Sequence, residues 1–342
     1  MSSIFFWRSA GIVSVVRKNS FVSRFRNRCL SIIDQQQLTI RHQQRYYSAS
    51  SSSINMPPSV EKNQVQQDDA AVLLRKLQVF QWLQKESPCF RVDGNQVTII
   101  TGPEDFYKVL LEKASQAKNR VTLASLYLGT GSHEKELVQV LANTMQQESK
   151  PRVRVLLDAC RGSRGSENNS RKMLLPLVQF HKEQCSVHLY HTPALRGLVR
   201  AMLPERFNEV IGLQHMKIYL FDNSLLVSGA NLSHDYFTNR QDRYLLVENC
   251  PALADFCDKL VETVCQFSFR LNGSNDLLMD PGFPFHPRKS SRNDFSTEAK
   301  RRVELLFKEE IRRNDSEFGQ SSSTKNKEDT WIFPFVQMGQ LG

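Results

Sequence analysis

The 342-residue sequence contains no run of about 18 consecutive apolar residues, the length that a transmembrane helix requires. The apolar stretches near the start, "IFFW" and "GIVSVV", are short and are interrupted by Arg8 and by Arg17 and Lys18. Hydrophobic residues nevertheless make up 40% of the chain, which is enough for a substantial core. We therefore expect one large or two modest folded domains and no transmembrane helix.

The seven cysteines lack the patterns of a disulfide framework or a zinc site. No Cys-x-x-Cys pair and no Cys/His pair at zinc-ligand spacing occurs, and the number of cysteines is odd. We predict reduced, mostly buried thiols.

Acidic residues are almost absent from residues 1–47, which hold eight Lys/Arg against the single acid Asp34, a net charge of +7 out of +10 for the chain. The small remainder gives little reason to expect nucleic acid as a partner of the folded part. A basic segment with Ser, Phe, Ile and Val between its arginines is typical of a mitochondrial presequence. Arg45 to Ser48 also resembles a matrix-peptidase cleavage site. The alternative is a disordered basic arm that binds nucleic acid or acidic lipid.

The remaining composition predicts the domain boundaries. Residues 48–70 are rich in Ser, Pro and polar residues and are interpreted as a disordered linker. An α/β domain is expected over 71–270, followed over 271–329 by a loop, a charged helix and a linker. The segment 330–342, which contains "WIFPFVQM", is interpreted as an apolar strand that opens another folded segment and has nothing after it to pair with.

Strand and helix patterns alternate from residue 71 onward. Strands are predicted at 96–102, 120–129, 152–160, 186–192, 213–233 (as a hairpin) and 243–249, and helices at 71–84, 103–119, 132–147, 170–183, 252–267 and 296–314. Ser132 is expected to cap its helix and Pro176 to kink the next one. This alternation predicts a layered α/β fold with a largely parallel or mixed sheet.

The hairpin "LQHMKIYLFDNSLLVSGANLS" carries a His, a Lys and an Asp at fixed offsets, namely His215, Lys217 and Asp222. Alternation along a strand places His215 and Lys217 on one face, about 6–7 Å apart, so that a phosphate fits between them. Gly229 lets backbone approach an anion, and the Asn231 amide can donate to it. An imidazole beside an ammonium suits nucleophilic catalysis at phosphorus, with the Lys stabilising charge on the oxygens.

A single strand histidine is most often structural, so the pattern has to be weighed as a whole. His-x-Lys recurs at His133–Lys135 on a predicted helix, without the Asp, and we interpret that copy as surface. The complete pattern H-x-K-x4-D-x6-G-[small]-N is far rarer. It therefore favours a functional site at His215.

This pattern resembles the phospholipase D superfamily. The segments "ASLYLGTG" (124–131), "LLDACRGSRG" (156–165) and "YFTNRQDRYLLVE" (236–248) narrow the resemblance to members that transfer a phosphatidyl group. The resemblance implies a phospholipase D-like mixed sheet flanked by helices, no metal and no cofactor. It implies that CDP-diacylglycerol and sn-glycerol 3-phosphate give phosphatidylglycerophosphate and CMP. His215 would be the nucleophile, Lys217 the phosphate clamp and Asp222 a support for local geometry.

Further candidates surround the motif. Arg161 and Arg164 follow a strand end and are expected either to bind phosphate or cytidine diphosphate or to lie in a solvated loop. The turn Gly129-Thr130-Gly131 has part of a P-loop spacing but lacks its Lys-Ser/Thr, so we predict a tight turn that lets substrate phosphate approach rather than an ATP site. The arginines at 196, 200 and 206 are expected to contact an anionic membrane surface or to lie on an ordinary amphipathic helix.

The superfamily carries two such motifs in one chain, whereas only His215 of the eight histidines completes the pattern here. We therefore expect a C-terminally shortened product that contains one half-site. Three hypotheses follow: an impaired phosphatidyltransferase, a homodimeric phosphodiesterase (nuclease or phospholipase), or an inactive module that binds CDP-diacylglycerol or the full-length enzyme.

The targeting prediction can be tested by fusing residues 1–50 to a fluorescent protein. We expect the fusion to enter mitochondria, because a positive, acid-poor segment is what the import pathway selects. Replacement of Arg8, Arg17 and Arg24 by Gln should leave the reporter in the cytosol. A cytosolic location of the unsubstituted fusion would contradict the prediction.

Overall fold

The computed structural model describes residues 83, 85–197, 211–318 and 329–337. The chain divides into two compact units, and the fold described below belongs to the larger one, from Ser87 onward. Of residues 10–86, which form the other unit, only 83, 85 and 86 are described. The predicted presequence, linker and nearly all of the helix at 71–84 therefore lie outside the described residues, as do Arg200 and Arg206.

The larger unit is built on a nine-stranded mixed sheet with the strand order β10-β9-β5-β4-β3-β6-β7-β8-β2 among the described residues. The strands are β1 Phe90–Asp93, β2 Val97–Ile100, β3 Arg120–Ala124, β4 Arg152–Asp158, β5 Cys185–Tyr190, β6 Ile218–Phe221, β7 Ser224–Ser228, β8 Tyr244–Val247, β9 Phe269–Leu271, β10 Leu277–Met279 and β11 Asp329–Ile332. β3, β4 and β5 run parallel to one another, and the other neighbours in the sheet pair antiparallel. The predicted mixed α/β class is confirmed.

Helices cover both faces of this sheet. They are α1 Pro103–Gln116, α2 Ser132–Met145, α3 Ala159–Gly162, α4 Ser170–Phe180, α5 His234–Thr238, α6 Pro251–Gln266 and α7 Arg292–Phe318. Alternate residues of the central strands enter two separate cores: Tyr219 packs with α1, α2, α4 and α5, and Ile218 packs with α6 and α7. All four residues of β6 are consequently buried, as expected for a strand with a covered sheet on both sides. None of the described helices combines the length and apolar character needed to cross a bilayer.

Several predicted boundaries shift. The strand expected at 120–129 ends at Ala124, and the one at 152–160 ends at Asp158, where α3 begins. Ser132 does not cap α2, because Gly131 takes the extended N-cap position and its carbonyl accepts from Lys135 N. The region after 270, predicted as loop, contains the short strand β10. The six described cysteines are free and all but Cys160 are buried, as predicted.

The apolar segment near residue 330 pairs with a strand that precedes it in the chain, which the sequence analysis did not consider. β11 pairs antiparallel with β1, with Ile332 opposite Phe90, and forms a second, two-stranded sheet. Ile332, Phe90 and Val92 are buried in the core beneath α6 and α7. The Ser87 hydroxyl donates to the Pro334 carbonyl at 2.5 Å and extends this contact.

Asp258 is the buried carboxylate among those that join α6 to the sheet. Asp258 is 4% exposed and accepts from Thr122 Oγ1 at 2.6 Å, Arg154 Nη1 at 2.5 Å and Arg152 Nη2 at 3.1 Å. Arg154 is itself buried, and among the residues that the structure describes it has one other carboxylate partner, Glu262. Removal of one member of such a buried ion pair leaves a charge without compensation.

We therefore expect Asp258→Ala to lower the free energy of unfolding by about 3–5 kcal/mol, since Arg154 stays buried without its main partner. Asp255→Ala is the matched control, because Asp255 lies on the same helix, pairs with Arg120 and is 54% exposed. That exposed pair should contribute less than about 1 kcal/mol. Urea unfolding of both variants measures the difference, and equal losses would contradict the assignment.

Candidate functional site

The candidate site lies at one edge of the large sheet. The parallel strands β3, β4 and β5 end there, and β6, which is antiparallel to β3, begins there. Ile218 pairs with Ala124 on one side and Val227 on the other. The next residues outward on the three strands, Lys217, Ser125 and Ser228, therefore lie side by side at this edge.

His215 and Lys217 lie in the segment that leads into β6 and not within the strand itself. The His215 side chain is exposed, whereas Lys217 is 5% exposed. Lys217 Nζ donates to the His215 carbonyl at 3.1 Å. The residue predicted as phosphate clamp thus contacts the backbone of the residue predicted as nucleophile, and their catalytic roles stay predictions.

Burial lowers the pKa of Lys217 from its usual 10.5 to about 7, and the negative charge of Asp242 acts in the opposite direction. A lysine of this kind gains its full charge when an anion arrives. The protein around His215 desolvates its ring although the residue keeps an exposed surface, and this desolvation and the Lys217 charge lower the pKa of His215 to about 4. His215 is therefore neutral at pH 7, which is the form whose ring nitrogen can act as a nucleophile.

The loop after β7 is arranged by Asp242, to which the sequence assigned no role. Gly229 N donates to Asp242 Oδ1 at 3.0 Å, and a Cβ at Gly229 would lie 2.7 Å from Asp242 Oδ2. The predicted contact of the Gly229 amide with an anion is therefore taken up by the protein's own carboxylate. Asn231 is buried at the same edge, with its Oδ1 at 3.5 Å from Ser125 Oγ.

The turn at Gly129-Thr130-Gly131 also holds a carboxylate where a substrate phosphate was predicted. Cβ atoms at Gly129 and Gly131 would fall 2.2 Å and 2.8 Å from the Glu134 carboxylate, which accepts from His234 N at 2.6 Å. Glu134 is 1% exposed, so the His133–Lys135 segment is not simply surface as predicted. The Glu134 side chain thus fills the space in the turn that was predicted to admit a substrate phosphate.

Arg161 and Arg164, for which phosphate binding or a solvated loop was predicted, follow the end of β4 at this edge of the sheet. Arg161 stacks over the Tyr127 ring at 4.5 Å, and its backbone N donates to Asp158 Oδ1. Arg164 follows in the loop, where its N donates to the Arg161 carbonyl. Arg196, the described member of the predicted membrane-facing arginines, donates to the Ser290 carbonyl at 2.5 Å.

Asp222 lies at the other end of β6, away from His215 and Lys217. Its carboxylate accepts from three successive backbone amides, at Lys118 (2.9 Å), Asn119 (2.7 Å) and Arg120 (3.0 Å). It therefore supports the local geometry, as the resemblance implied, and contributes no atom to the site edge. The backbone at Asp222 is left-handed, with φ of 50°.

Two further residues that shape the edge carry no signal in the sequence pattern. Asp158 Oδ2 accepts from Gln214 N at 3.2 Å and so attaches the residue before His215 to the end of β4. Ser125 donates to the Tyr127 carbonyl and accepts from Leu232 N. Asp158 and Ser125 lie at strand ends where the sequence gives no reason to expect a special role, so their contacts at the edge become apparent only in the fold. Across the described residues, no three His, Cys, Asp or Glu side chains converge as metal ligands.

Curated relatives share a single printed function. The chain is 42% identical over 280 residues to the mitochondrial CDP-diacylglycerol–glycerol-3-phosphate 3-phosphatidyltransferases of Bos taurus and Homo sapiens, covering 76% of this chain and 50% of theirs. It is 38% identical over 212 residues to the enzyme of that name from Saccharomyces cerevisiae, covering 60% of this chain and 40% of the yeast protein. The chain thus spans about half the length of the curated relatives it matches. No protein-family model matches it.

Solved structures give weaker likenesses. Phosphatidylserine synthase from Haemophilus influenzae Rd KW20 has a TM-score of 0.46 at 19% identity, covering 66% of this chain and 46% of that chain. Nuc, a phospholipase D family member from Salmonella typhimurium, has a TM-score of 0.37 at 12% identity, covering 52% of this chain and 99% of that chain. At these scores neither structure adds to what the sheet order already shows about the fold.

The state of Lys217 can be tested through stability. Its folded pKa of about 7 lies below the 10.5 of an unfolded lysine, so below pH 7 the folded state carries the full penalty of a buried charge. As the pH rises from 7 towards 10.5, the folded state loses its proton first and the penalty disappears. The difference between 10.5 and about 7, at about 1.4 kcal/mol per pKa unit, leads us to expect that Lys217→Met stabilises the chain by roughly 5 kcal/mol at pH 6 and by less than half of that at pH 9.

Urea unfolding at the two pH values measures this effect. Lys118→Met, a change at an exposed lysine, is the matched control and should be neutral at both pH values. An equal effect of Lys217→Met at pH 6 and pH 9 would contradict the lowered pKa.

Proposed function

Since the chain belongs, over the matched 76% of its length, to the CDP-diacylglycerol–glycerol-3-phosphate 3-phosphatidyltransferase family, we propose that it supplies one half of a phosphatidyl-transfer site. The substrates are CDP-diacylglycerol and sn-glycerol 3-phosphate, and the products are phosphatidylglycerophosphate and CMP. No cofactor or metal is part of this proposal. The reaction serves the synthesis of phosphatidylglycerol and cardiolipin.

One observation carries the proposal: a neutral, exposed His215 lies directly above a buried Lys217 whose ammonium is only partly charged at pH 7. A diphosphate that enters the edge supplies the negative charge that Lys217 lacks. Lys217 then stabilises the charge that grows on the phosphoryl oxygens, while His215 attacks from the solvent side. Charge and nucleophile are thus brought together by substrate binding.

The proposed transfer takes two steps. A ring nitrogen of His215 attacks the phosphorus next to diacylglycerol, a P–N bond forms, and the P–O bond to CMP breaks while the leaving oxygen receives a proton from a second histidine. A hydroxyl of glycerol 3-phosphate then returns its proton to that second histidine and attacks the same phosphorus. The P–N bond breaks, and His215 is restored.

The second histidine comes from a second half-site. Only His215 completes the motif in this sequence, and the chain spans about half the length of its relatives. A second copy of the chain in a homodimer, or a longer form of the same enzyme, supplies the missing half. The alternative function, a homodimeric nuclease or phospholipase, also needs a second half-site. It differs in that it does not use glycerol 3-phosphate as the acceptor.

The proposed location is the mitochondrial matrix side of the inner membrane, with peripheral attachment to an anionic surface. The basic, acid-poor residues 1–47 and the mitochondrial names of the relatives support it. The lipid substrate requires contact with a membrane. The part of the chain described here contains no helix that could span one.

The proposal is tested by CMP release from CDP-diacylglycerol with sn-glycerol 3-phosphate, measured on fractions whose mass is known from light scattering. We expect His215-dependent release from dimeric or larger fractions and none from the monomer. His215→Ala should lower the rate at least about 1,000-fold, because the covalent step is lost. His181→Ala, at the C-terminal end of α4, is the matched control and should retain the rate.

Each other outcome contradicts a part of the proposal. CMP release by His215→Ala at the unsubstituted rate would remove His215 as the nucleophile. His215-dependent release by a monomer would show that one half-site is sufficient. Hydrolysis of DNA or cardiolipin without transfer to glycerol 3-phosphate would favour the homodimeric phosphodiesterase, and binding of CDP-diacylglycerol without turnover in any fraction would favour the inactive module.

A further inference from the structure

Arg240 lies at the site edge with hydrogen-bond donors that the fold does not use. Its guanidinium stacks on the Tyr236 ring at 4.1 Å, and the side chain is exposed. Its backbone is fixed, because Arg240 N donates to the Asp235 carbonyl at 2.7 Å and Tyr244 Oη donates to the Arg240 carbonyl at 3.3 Å. Within the described part of the chain, no acceptor meets the guanidinium N–H groups. A stacked guanidinium with free N–H edges is arranged to bind an oxyanion.

The stack lies close to the reacting groups. Tyr219, two residues after Lys217 on β6, donates to the Ala230 carbonyl at 2.6 Å and so sits beneath the Gly229–Asn231 loop. Gly229 N donates to Asp242 Oδ1 at 3.0 Å, and Tyr244, which pairs with Ser228 at the end of β7, donates its hydroxyl to the Arg240 carbonyl. Tyr236 and its stacked arginine therefore flank the loop that borders Lys217.

The proposed reaction brings two kinds of phosphate to this edge. Lys217 is buried and serves the phosphorus that is attacked. The acceptor carries its own phosphate monoester, which remains unreacted and needs a cation outside the reaction centre. The two other anion sites expected near the loop contain protein carboxylates, Asp242 at Gly229 and Glu134 at the 129–131 turn.

We propose that Arg240, held by Tyr236, binds the phosphate of the acceptor and so makes the site selective for a phosphorylated polyol over the same polyol without phosphate. This inference rests on the proposed phosphatidyl transfer and names the part of the site that selects the acceptor. The planar guanidinium offers two parallel N–H donors to two phosphate oxygens, a geometry that a lysine ammonium does not provide. Arg240 is thus a specificity residue that leaves the attack by His215 unchanged.

Arg243 provides the matched control. It is an exposed arginine three residues further along, with its backbone N bonded to Asp242 Oδ1 at 2.7 Å. No aromatic ring stacks with its guanidinium among the described residues. Substitution of Arg243 removes a positive charge from the same neighbourhood but leaves the Arg240 guanidinium stacked on Tyr236.

The experiment titrates sn-glycerol 3-phosphate and glycerol into the full chain by calorimetry, independently of turnover. Arg240→Ala should weaken glycerol 3-phosphate binding at least about 10-fold, equivalent to about 1.4 kcal/mol, and leave the weak binding of glycerol unchanged. Arg240→Lys should fall between the two, since it keeps the charge and loses the fork. Arg243→Ala should stay within about 2-fold of the unsubstituted chain, because a point charge at the rim contributes little.

Turnover provides a second readout in the assembly that releases CMP. Arg240→Ala should raise the KM for glycerol 3-phosphate about 10-fold and leave release of CMP to water unchanged. Equal losses for Arg240→Ala and Arg243→Ala, or no loss for either, would overturn the inference, as would an unsubstituted chain that fails to bind glycerol 3-phosphate. Failure of the proposed function would give a different result. No acceptor would support His215-dependent CMP release, while calorimetry would still show whether Arg240→Ala weakens glycerol 3-phosphate binding more than Arg243→Ala does.

Discussion

The three backbone amides that converge on the Asp222 carboxylate fix the register between the β6–β7 hairpin and β3, and the candidate site depends on that register. The contact lies at the far end of a four-residue strand, about 13 Å from the edge at which Lys217 emerges. A slip by one residue would turn every side chain of the strand to the opposite face of the sheet. Lys217 would then move from the side of the sheet that carries Tyr219 to the side that carries Ile218. Asp222 thus bears on the candidate site through the strand, since its carboxylate contacts backbone amides at the opposite end of β6.

Both faces of the sheet are covered by helices, so its edge is the place where polar groups can meet a ligand. Two of the cations at this edge differ in burial. Lys217 is 5% exposed and burial lowers its pKa to about 7, whereas Arg240 is exposed. The carboxylates of Asp242 and Glu134 occupy the remaining anion-sized positions. The negative charge of the protein therefore restricts where a phosphate can settle.

The candidate site could be predicted from the sequence because its motif residues lie close together along the chain. His215 and Lys217 are two residues apart and were expected on one face of a strand, whereas the structure places both in the segment before β6, with His215 exposed and Lys217 buried. The occupant of the 129–131 turn was missed because Glu134 reads as an ordinary first-turn helix residue, and only the fold shows its carboxylate against two glycines. The role of Asp242 was missed for a related reason, since its partner Gly229 belongs to another strand end. Strand ends were overestimated where apolar residues continue past the sheet, as at 125–129.

The pairing of β1 with β11 joins one of the first described strands to the last. Phe90 has no strand partner until Ile332 has been synthesised and has reached β1. The residues between β1 and β11 must therefore all be present before this small sheet can close. Contacts between such distant segments form late and slowly, because the cost in chain entropy precedes the gain. Until then Phe90 and Val92 remain uncovered beside α6, as apolar surface that a growing or translocating chain exposes to chaperones and to aggregation. The order in which β1 and β11 become available is therefore part of how this domain reaches its native state.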